Sequence, residues 1–166
     1  IFLGQLAELK SLNNNSETLE IGATVPIQEA ESVLAGLSPD LARLLCRFGS
    51  RQVRNVGTIG GNIANGSPVG DLPPVLIALG ARLKLQSHAG KREIALEDFF
   101  IDYGRQDLLP GEFVVSVIVP LENRIRFHCW KISKRFDQDI AAVLGAFAMQ
   151  IDGSRVRQAR ISFGGM

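Results

Sequence analysis

Residues 51–74 read RQVRNVGTIGGNIANGSPVGDLPP, a stretch rich in glycine. The glycines are Gly57, Gly60, Gly61, Gly66 and Gly70. Because glycine has no Cβ, such a backbone is free to take positive φ and to approach a ligand closely. The stretch therefore predicts a loop that contacts a ligand.

The hydrogen-bonding groups of this stretch indicate what that ligand is. Main-chain N–H groups in a glycine-rich turn can converge on phosphate oxygens, and Thr58, Asn62, Asn65 and Ser67 add neutral side-chain hydrogen bonds. Since no basic residue follows Arg54 within the stretch, the pattern predicts an anion held by N–H dipoles.

The end of the stretch predicts the start of a helix. Pro73 and Pro74 precede the apolar residues 75–79, and proline is favoured in the first turn of a helix. Asp71 stands at that point, where it can cap the helix or accept hydrogen bonds from sugar hydroxyls. A ligand that carries both phosphate and polyol therefore fits better than phosphate alone.

Two common phosphate-binding motifs are excluded by spacing. The string G-T-I-G-G-N is not G-x-G-x-x-G, and no Gly-Lys-Ser/Thr element occurs, so the chain has neither a Rossmann fingerprint nor a P-loop. On spacing alone, tight turns at the corners of strands remain an equal explanation of the glycines.

The string RQVRNVGTIGGNIANGSPVGD, residues 51–71, resembles the second flavin-binding segment of the FAD domain in the xanthine dehydrogenase family of molybdenum hydroxylases. The similarity is closest to the bacterial small subunit of that family. Other parts of the chain resemble the family in the expected order: residues 48–52 (FGSRQ), residues 110–114 (PGEFV), and Lys131 with Arg135 and residues 139–140.

The resemblance implies a set of FAD contacts. It places Thr58, Gly60, Gly61, Asn62 and Ser67 at the pyrophosphate and ribityl parts, Asp71 on hydroxyl groups, Phe48 and Val114 beside the isoalloxazine ring, and Lys131 near its polar edge. A cation at that edge favours the anionic reduced flavin. Without the resemblance, Phe48 is a core residue at helical spacing and Lys131 is a solvated strand residue.

The resemblance also implies a domain organisation. Residues 1–120 are expected to form an FAD-binding domain of the PCMH type that lacks its N-terminal subdomain, with residues 1–3 as the last strand of that subdomain. Residues 124–166 are expected to be the truncated beginning of the C-terminal flavoprotein domain. The chain then holds only part of the FAD cradle, and we expect no activity from it alone.

The implied function is an oxidoreductase role in purine catabolism. Electrons from iron–sulfur clusters pass through FAD to NAD+, while the clusters and molybdopterin lie elsewhere, on an iron–sulfur domain and a large subunit. No residue of this chain is expected to perform acid–base catalysis. Two alternatives stay open: the flavoprotein subunit of a carbon monoxide dehydrogenase or aldehyde oxidoreductase with a quinone or oxygen as acceptor, and a non-catalytic scaffold that retains no flavin.

Composition narrows the remaining classes of function. A net charge of +1, from 18 basic and 17 acidic residues, provides no field that would attract nucleic acid or an anionic membrane. Cys46 and Cys129 form no C-x-x-C pair, so we expect no iron–sulfur cluster on this chain and two reduced, buried thiols of a cytoplasmic protein. His88 and His128 have no acidic partner at ligand spacing, and we expect no metal site.

The pattern of apolar residues predicts an α+β fold, a mainly antiparallel sheet with flanking helices. The predicted elements are a hairpin turning at residues 13–16, helices over 26–37 and from Ser38 to Gly49, a hairpin over 81–96, a helical turn over 97–103 followed by a loop over 104–111, a central strand over 113–119, and antiparallel strands over 127–133, 140–151 and 156–163.

Overall fold

A computed structural model describes residues 3–122 and 124–165. The helices are α1 (Ile27–Leu34), α2 (Pro39–Cys46), α3 (Arg51–Val56), α4 (Ile59–Ala64), α5 (Leu72–Ala78) and α6 (Leu96–Phe99). The strands are β1 (Leu12–Asn14), β2 (Thr18–Gly22), β3 (Arg82–Ser87), β4 (Gly90–Ala95), β5 (Phe100–Asp102), β6 (Arg105–Gln106), β7 (Phe113–Pro120), β8 (Ile125–Ile132), β9 (Val143–Asp152) and β10 (Arg155–Gly164). The α+β fold and its mainly antiparallel pairing confirm the sequence prediction.

The larger sheet has five antiparallel strands in the order β1-β2-β7-β3-β4. Its central strand is β7, whose sequence FVVSVIVP is rich in β-branched residues that favour a covered strand. Val114, Val117 and Val119 are buried in the core. The prediction of a central strand over residues 113–119 is confirmed.

The two hairpins of this sheet form where the sequence predicts them. At the first turn, the Asn15 side-chain oxygen accepts from the main-chain N–H groups of Glu17 and Thr18, both at 2.8 Å. At the second turn, Gly90 takes a φ of 146°, which an L-residue rarely adopts. These turns fix the register of β1 on β2 and of β3 on β4.

The smaller sheet has three antiparallel strands in the order β10-β9-β8. Helix α2 packs against β8, and α5 packs against β9 and β10. The buried residues Phe127, Cys129 and Leu144 of this sheet join the same hydrophobic core as the larger sheet. Its opposite face is open, with Trp130 57% and Phe163 50% exposed.

Helix α2 follows its predicted signals closely. The Ser38 hydroxyl oxygen accepts from the Asp40 N–H at 3.1 Å, and Pro39 occupies the first helical position. The predicted apolar stripe is buried, and it comprises Leu41, Leu44, Leu45 and Phe48. Gly49 then takes a φ of 48°, so the chain cannot continue as a helix beyond this residue.

Several local predictions differ from the structure. The helical turn is limited to α6, because Phe100 already begins β5, and the loop over residues 104–111 contains the short strand β6. The strand predicted from residue 140 begins at Val143. Cys46 is exposed rather than buried, because it lies on the outer side of α2. The expected strand over residues 1–3 falls largely on Ile1 and Phe2, which lie outside the described residues.

In the described part of the chain, no helix has the length and apolar character needed to cross a bilayer.

Candidate functional site

The glycine-rich stretch is not the open loop that its composition predicts. It folds into α3 and α4, and the Thr58 hydroxyl caps α4 by accepting from the Gly61 N–H at 3.1 Å. Among its glycines, Gly66 alone has a positive φ, at 61°. The freedom of glycine to take positive φ is therefore used at one position of this stretch.

The main-chain N–H groups at the start of α4 are also committed within the protein. Their acceptors are the Val25 carbonyl for Ile59 (3.1 Å), the Ala23 carbonyl for Gly60 (2.9 Å), the Thr58 hydroxyl for Gly61 (3.1 Å) and the Thr58 carbonyl for Asn62 (2.9 Å). An amide nest for a phosphate at these four positions is therefore excluded.

Gly60 is required for packing. A Cβ at this position would lie 2.5 Å from the Ala23 Cβ and 2.8 Å from the Ala23 carbonyl oxygen. Gly61 differs, because it is exposed and a Cβ there would meet only the Thr58 hydroxyl, at 2.9 Å. Helix α4 can therefore lie against the end of β2 and still present a bare surface at Gly61.

Two side-chain oxygens in this region are buried without a hydrogen-bond partner among the described residues. They are Asn62 Oδ1 on α4 and Asp71 Oδ1 just before α5. Leaving such an acceptor unsatisfied costs roughly 1–3 kcal/mol. A ligand that brings hydroxyl donors would satisfy both atoms.

Asp71 forms an ion pair across the molecule and does not cap α5. Its Oδ2 accepts from Lys131 Nζ at 2.6 Å, with the two side chains only 7% and 2% exposed. Burial raises the pKa of the Asp71 carboxyl above its ordinary value, and the hydrogen bond and charge of Lys131 offset part of that rise. The interpretation of Lys131 as a solvated strand residue is wrong.

The remaining predicted site residues differ in burial. Phe48 is 7% exposed and Val114 is 5% exposed, so each can present only an edge to a ligand. Ser67 is half-buried and lines a cavity of about 350 Å³ together with Gly70 and Tyr103. Helix α4, which carries Asn62, packs against both α5 and β7, the strand that carries Val114.

One polar pair was not foreseen from the sequence. Asp40 Oδ2 lies 2.6 Å from His128 Nδ1, so this histidine does have an acidic partner, contributed by α2. No sequence signal joins residues 88 positions apart. A signal did exist for Lys131, because Phe127, Cys129 and Lys131 alternate onto the buried face of β8.

Comparison with known families assigns the chain. The family described as the FAD binding domain in molybdopterin dehydrogenase matches residues 1–122. The chain belongs to this FAD-binding family. A second family, the CO dehydrogenase flavoprotein C-terminal domain, matches residues 128–166. The resemblance to the molybdenum hydroxylases is thereby confirmed.

Relatives of this FAD-binding chain are oxidoreductases by name. Xanthine dehydrogenase of Emericella nidulans is 34% identical over 180 residues, which cover 100% of this chain and 13% of the relative. Xanthine dehydrogenase/oxidase of Mus musculus is 34% identical over 97% of this chain and 13% of its own length. The glyceraldehyde dehydrogenase medium chain of Sulfolobus acidocaldarius is 30% identical, over 99% of this chain and 59% of the relative.

Solved structures show the same fold. Quinoline 2-oxidoreductase from Pseudomonas putida 86 superposes with a TM-score of 0.87 at 28% identity, over 98% of this chain and 57% of that one. The Cu,Mo-CO dehydrogenase gives a TM-score of 0.88 at 25% identity, again over 98% of this chain and 57% of that one. This FAD-binding chain thus spans little more than half of these solved chains and a much smaller part of the xanthine dehydrogenases.

The residues present fit FAD in one physical respect. The ribityl and ribose parts of FAD carry hydroxyl donors, and Asn62 Oδ1 and Asp71 Oδ1 are buried acceptors without donors among the described residues. They do not fit a diphosphate held by the amides at the start of α4, because those amides already donate within the chain.

Proposed function

We propose that this chain is the FAD-binding electron-transfer module of a molybdenum hydroxylase, and that side chains of its glycine-rich stretch hold the cofactor. The observation that carries the proposal is the pair of unsatisfied acceptors, Asn62 Oδ1 and Asp71 Oδ1, within the part of the chain that belongs to the FAD-binding family. Buried polar atoms are normally hydrogen-bonded, so two orphans in one region indicate an absent partner.

The proposed contacts to the diphosphate and sugar differ from an amide nest. Thr58 and Ser67 donate their hydroxyl hydrogens to phosphate oxygens, while Asn62 and Asp71 accept from hydroxyl groups. The Thr58 hydroxyl oxygen already accepts from Gly61, and its own hydrogen is free to be donated outward. Gly60 contributes by letting α4 lie close to Ala23. Gly61 contributes by leaving the surface of α4 without a side chain at that position.

The proposed ring contacts are Phe48, Val114 and Lys131. When bound, FAD supplies reversible two-electron chemistry at its isoalloxazine ring. Phe48 and Val114 exclude water from one side of the ring through their exposed edges. The Lys131 ammonium is fixed by Asp71, so it can stabilise negative charge on a neighbouring ring without moving.

The parent enzyme in this proposal is a xanthine dehydrogenase of the cytoplasm. Electrons reach FAD from iron–sulfur clusters on an adjoining domain and leave to NAD+, while xanthine is oxidised at molybdopterin on a large subunit. Support comes from the xanthine dehydrogenases that are 34% identical to this chain over nearly all of its length.

A second candidate is the flavoprotein subunit of a carbon monoxide dehydrogenase or aldehyde oxidoreductase, with a quinone or oxygen as acceptor. The match of residues 128–166 to the CO dehydrogenase flavoprotein C-terminal domain favours it, as does the medium-chain relative that is 30% identical. Rapid mixing of the reduced flavoprotein with NAD+ and with a quinone separates the two candidates, because only the true acceptor reoxidises the flavin at a catalytic rate.

Visible absorption tests the FAD proposal itself. The purified chain, after incubation with FAD and gel filtration, should show flavin bands that elute with the protein. A folded chain that stays colourless would contradict the proposal and favour the non-catalytic scaffold. Circular dichroism on the same fractions verifies that the colourless chain is folded.

A further inference from the structure

A second cavity lies apart from the glycine-rich stretch. Its volume is about 510 Å³, and it opens between α2 and the segment that follows β8. Apolar and aromatic parts of the lining come from Ala42, Leu44, Trp130 and Phe136. Small-molecule sites typically have volumes of roughly 300–1,000 Å³ and mostly apolar walls with a few polar groups.

Arg47 supplies the main polar group of this cavity. Its guanidinium donates to the Phe136 carbonyl (2.8 Å), the Lys131 carbonyl (3.1 Å) and the Ser133 hydroxyl (2.9 Å), and it stacks 4.9 Å from the centre of the Phe136 ring. These acceptors are all neutral. A guanidinium has five N–H groups, so two remain available for a ligand.

The charged side chains around the cavity indicate the charge of that ligand. Arg43 pairs with Asp40, and Lys131 pairs with Asp71. Arg47, by contrast, forms no salt bridge with any described residue, and it is half-buried. The other carboxylate in the lining, Asp137, is exposed and accepts from the Gln138 N–H at 2.9 Å.

We propose that this cavity binds a small planar aromatic carboxylate. The carboxylate accepts from the two remaining N–H groups of Arg47, and the aromatic ring packs against Phe136 and the apolar wall at Ala42 and Leu44. Arginine suits this arrangement because its planar fork matches a carboxylate and also stacks on an aromatic face. The cavity shares Lys131 with the proposed FAD site.

Calorimetric titration of the flavin-free chain with 2-naphthoate tests the proposal, and 2-naphthalenemethanol is the matched neutral compound. We expect 2-naphthoate to bind at least about tenfold more tightly, because its carboxylate forms charge-assisted hydrogen bonds that the alcohol cannot form. Alkylation of Cys46, which is exposed and lines the cavity, should slow when the ligand is present. Burial raises the pKa of the Cys129 thiol to about 12, so Cys129 does not compete for the reagent.

Two variants locate the site by different means. Ala42→Phe fills the cavity and leaves every Arg47 hydrogen bond intact, while Arg47→Gln removes the charge; each should weaken 2-naphthoate binding by about tenfold or more. Arg51→Gln, on the exposed side of α3, is the control and should bind 2-naphthoate as tightly as the unmodified chain does. The proposal is overturned if 2-naphthalenemethanol binds as tightly as 2-naphthoate, or if 2-naphthoate gives neither a heat of binding nor protection of Cys46. It is also overturned if Ala42→Phe and Arg47→Gln are both folded by circular dichroism and bind 2-naphthoate as tightly as the unmodified chain.

Discussion

Asp71 and Lys131, 60 residues apart in sequence, form a buried ion pair with 2.6 Å between Asp71 Oδ2 and Lys131 Nζ. Asp71 lies in the glycine-rich stretch directly before α5, and Lys131 belongs to strand β8 of the three-stranded sheet. The pair therefore links the segment that matches the FAD-binding family, residues 1–122, to the segment that matches the flavoprotein C-terminal family, residues 128–166.

Removing one partner of this pair should be costly. Lys131→Met leaves the Asp71 carboxylate buried without its cation, so we expect the free energy of unfolding to fall by about 3–5 kcal/mol. Urea denaturation followed by circular dichroism measures the change. Lys134→Met, at an exposed position, is the matched control and should stay within about 0.5 kcal/mol of the parent.

The double variant Asp71→Asn with Lys131→Met separates charge burial from lost packing. It should recover part of the loss, because no unpaired charge remains. If Lys131→Met and Lys134→Met unfolded at the same urea concentration, the pair would have no structural role.

Gly60 provides a test of the packing between α4 and β2. Gly60→Ala should lower the free energy of unfolding by about 1–3 kcal/mol, because its Cβ would lie 2.5 Å from the Ala23 Cβ. Gly36→Ala is the control, since a Cβ there has no neighbour within 4 Å. Equal thermal stability of the two variants would show that α4 is not held against Ala23.

Asp40 should make stability depend on pH in the acid range. Burial alone would raise the pKa of this carboxyl, but hydrogen bonds from His128 and Arg43 outweigh burial and hold it below the ordinary value of 3.8. A depressed carboxyl pKa contributes stability that is present above pH 3.8 and is lost as pH falls through the folded-state pKa.

Melting temperatures measured from about pH 5 down to about pH 2 test this contribution. Asp40→Asn should flatten the acid limb of the curve, whereas Asp137→Asn, at an exposed position, should not. Identical acid limbs for the parent and Asp40→Asn would contradict the assignment.

The sequence predicts the order and type of most elements because local signals and tertiary packing agree there. Ser38 and Pro39 begin α2 with its buried apolar stripe, and the β-branched run of β7 becomes the central strand. Asp152, Gly153 and Ser154 are of residue types that favour turns, and they join β9 to β10 with Gly153 at a φ of 59°.

The sequence predicts a loop where the structure has α3 and α4, because composition does not reveal what a glycine is for. Gly60 is needed because Ala23 lies against it, a contact across 37 positions that no local pattern encodes. The amides of α4 are likewise satisfied by carbonyls of Ala23 and Val25 from a distant segment. The partner of Asp71 was equally hidden, although the alternation along β8 already placed Lys131 on a buried face.

The affinity of the chain for FAD after the single change Asn62→Ala tests the central claim most directly. Because Asn62 Oδ1 has no partner among the described residues, its removal should leave the stability of the flavin-free chain within about 0.5 kcal/mol of the parent or slightly raise it. The dissociation constant for FAD should nevertheless rise by about tenfold, while Asn13→Ala, at an exposed position of β1, keeps the affinity of the unmodified chain. If Asn62→Ala bound FAD as tightly as Asn13→Ala does, the cofactor would not be held by this side chain and the proposed site would be wrong.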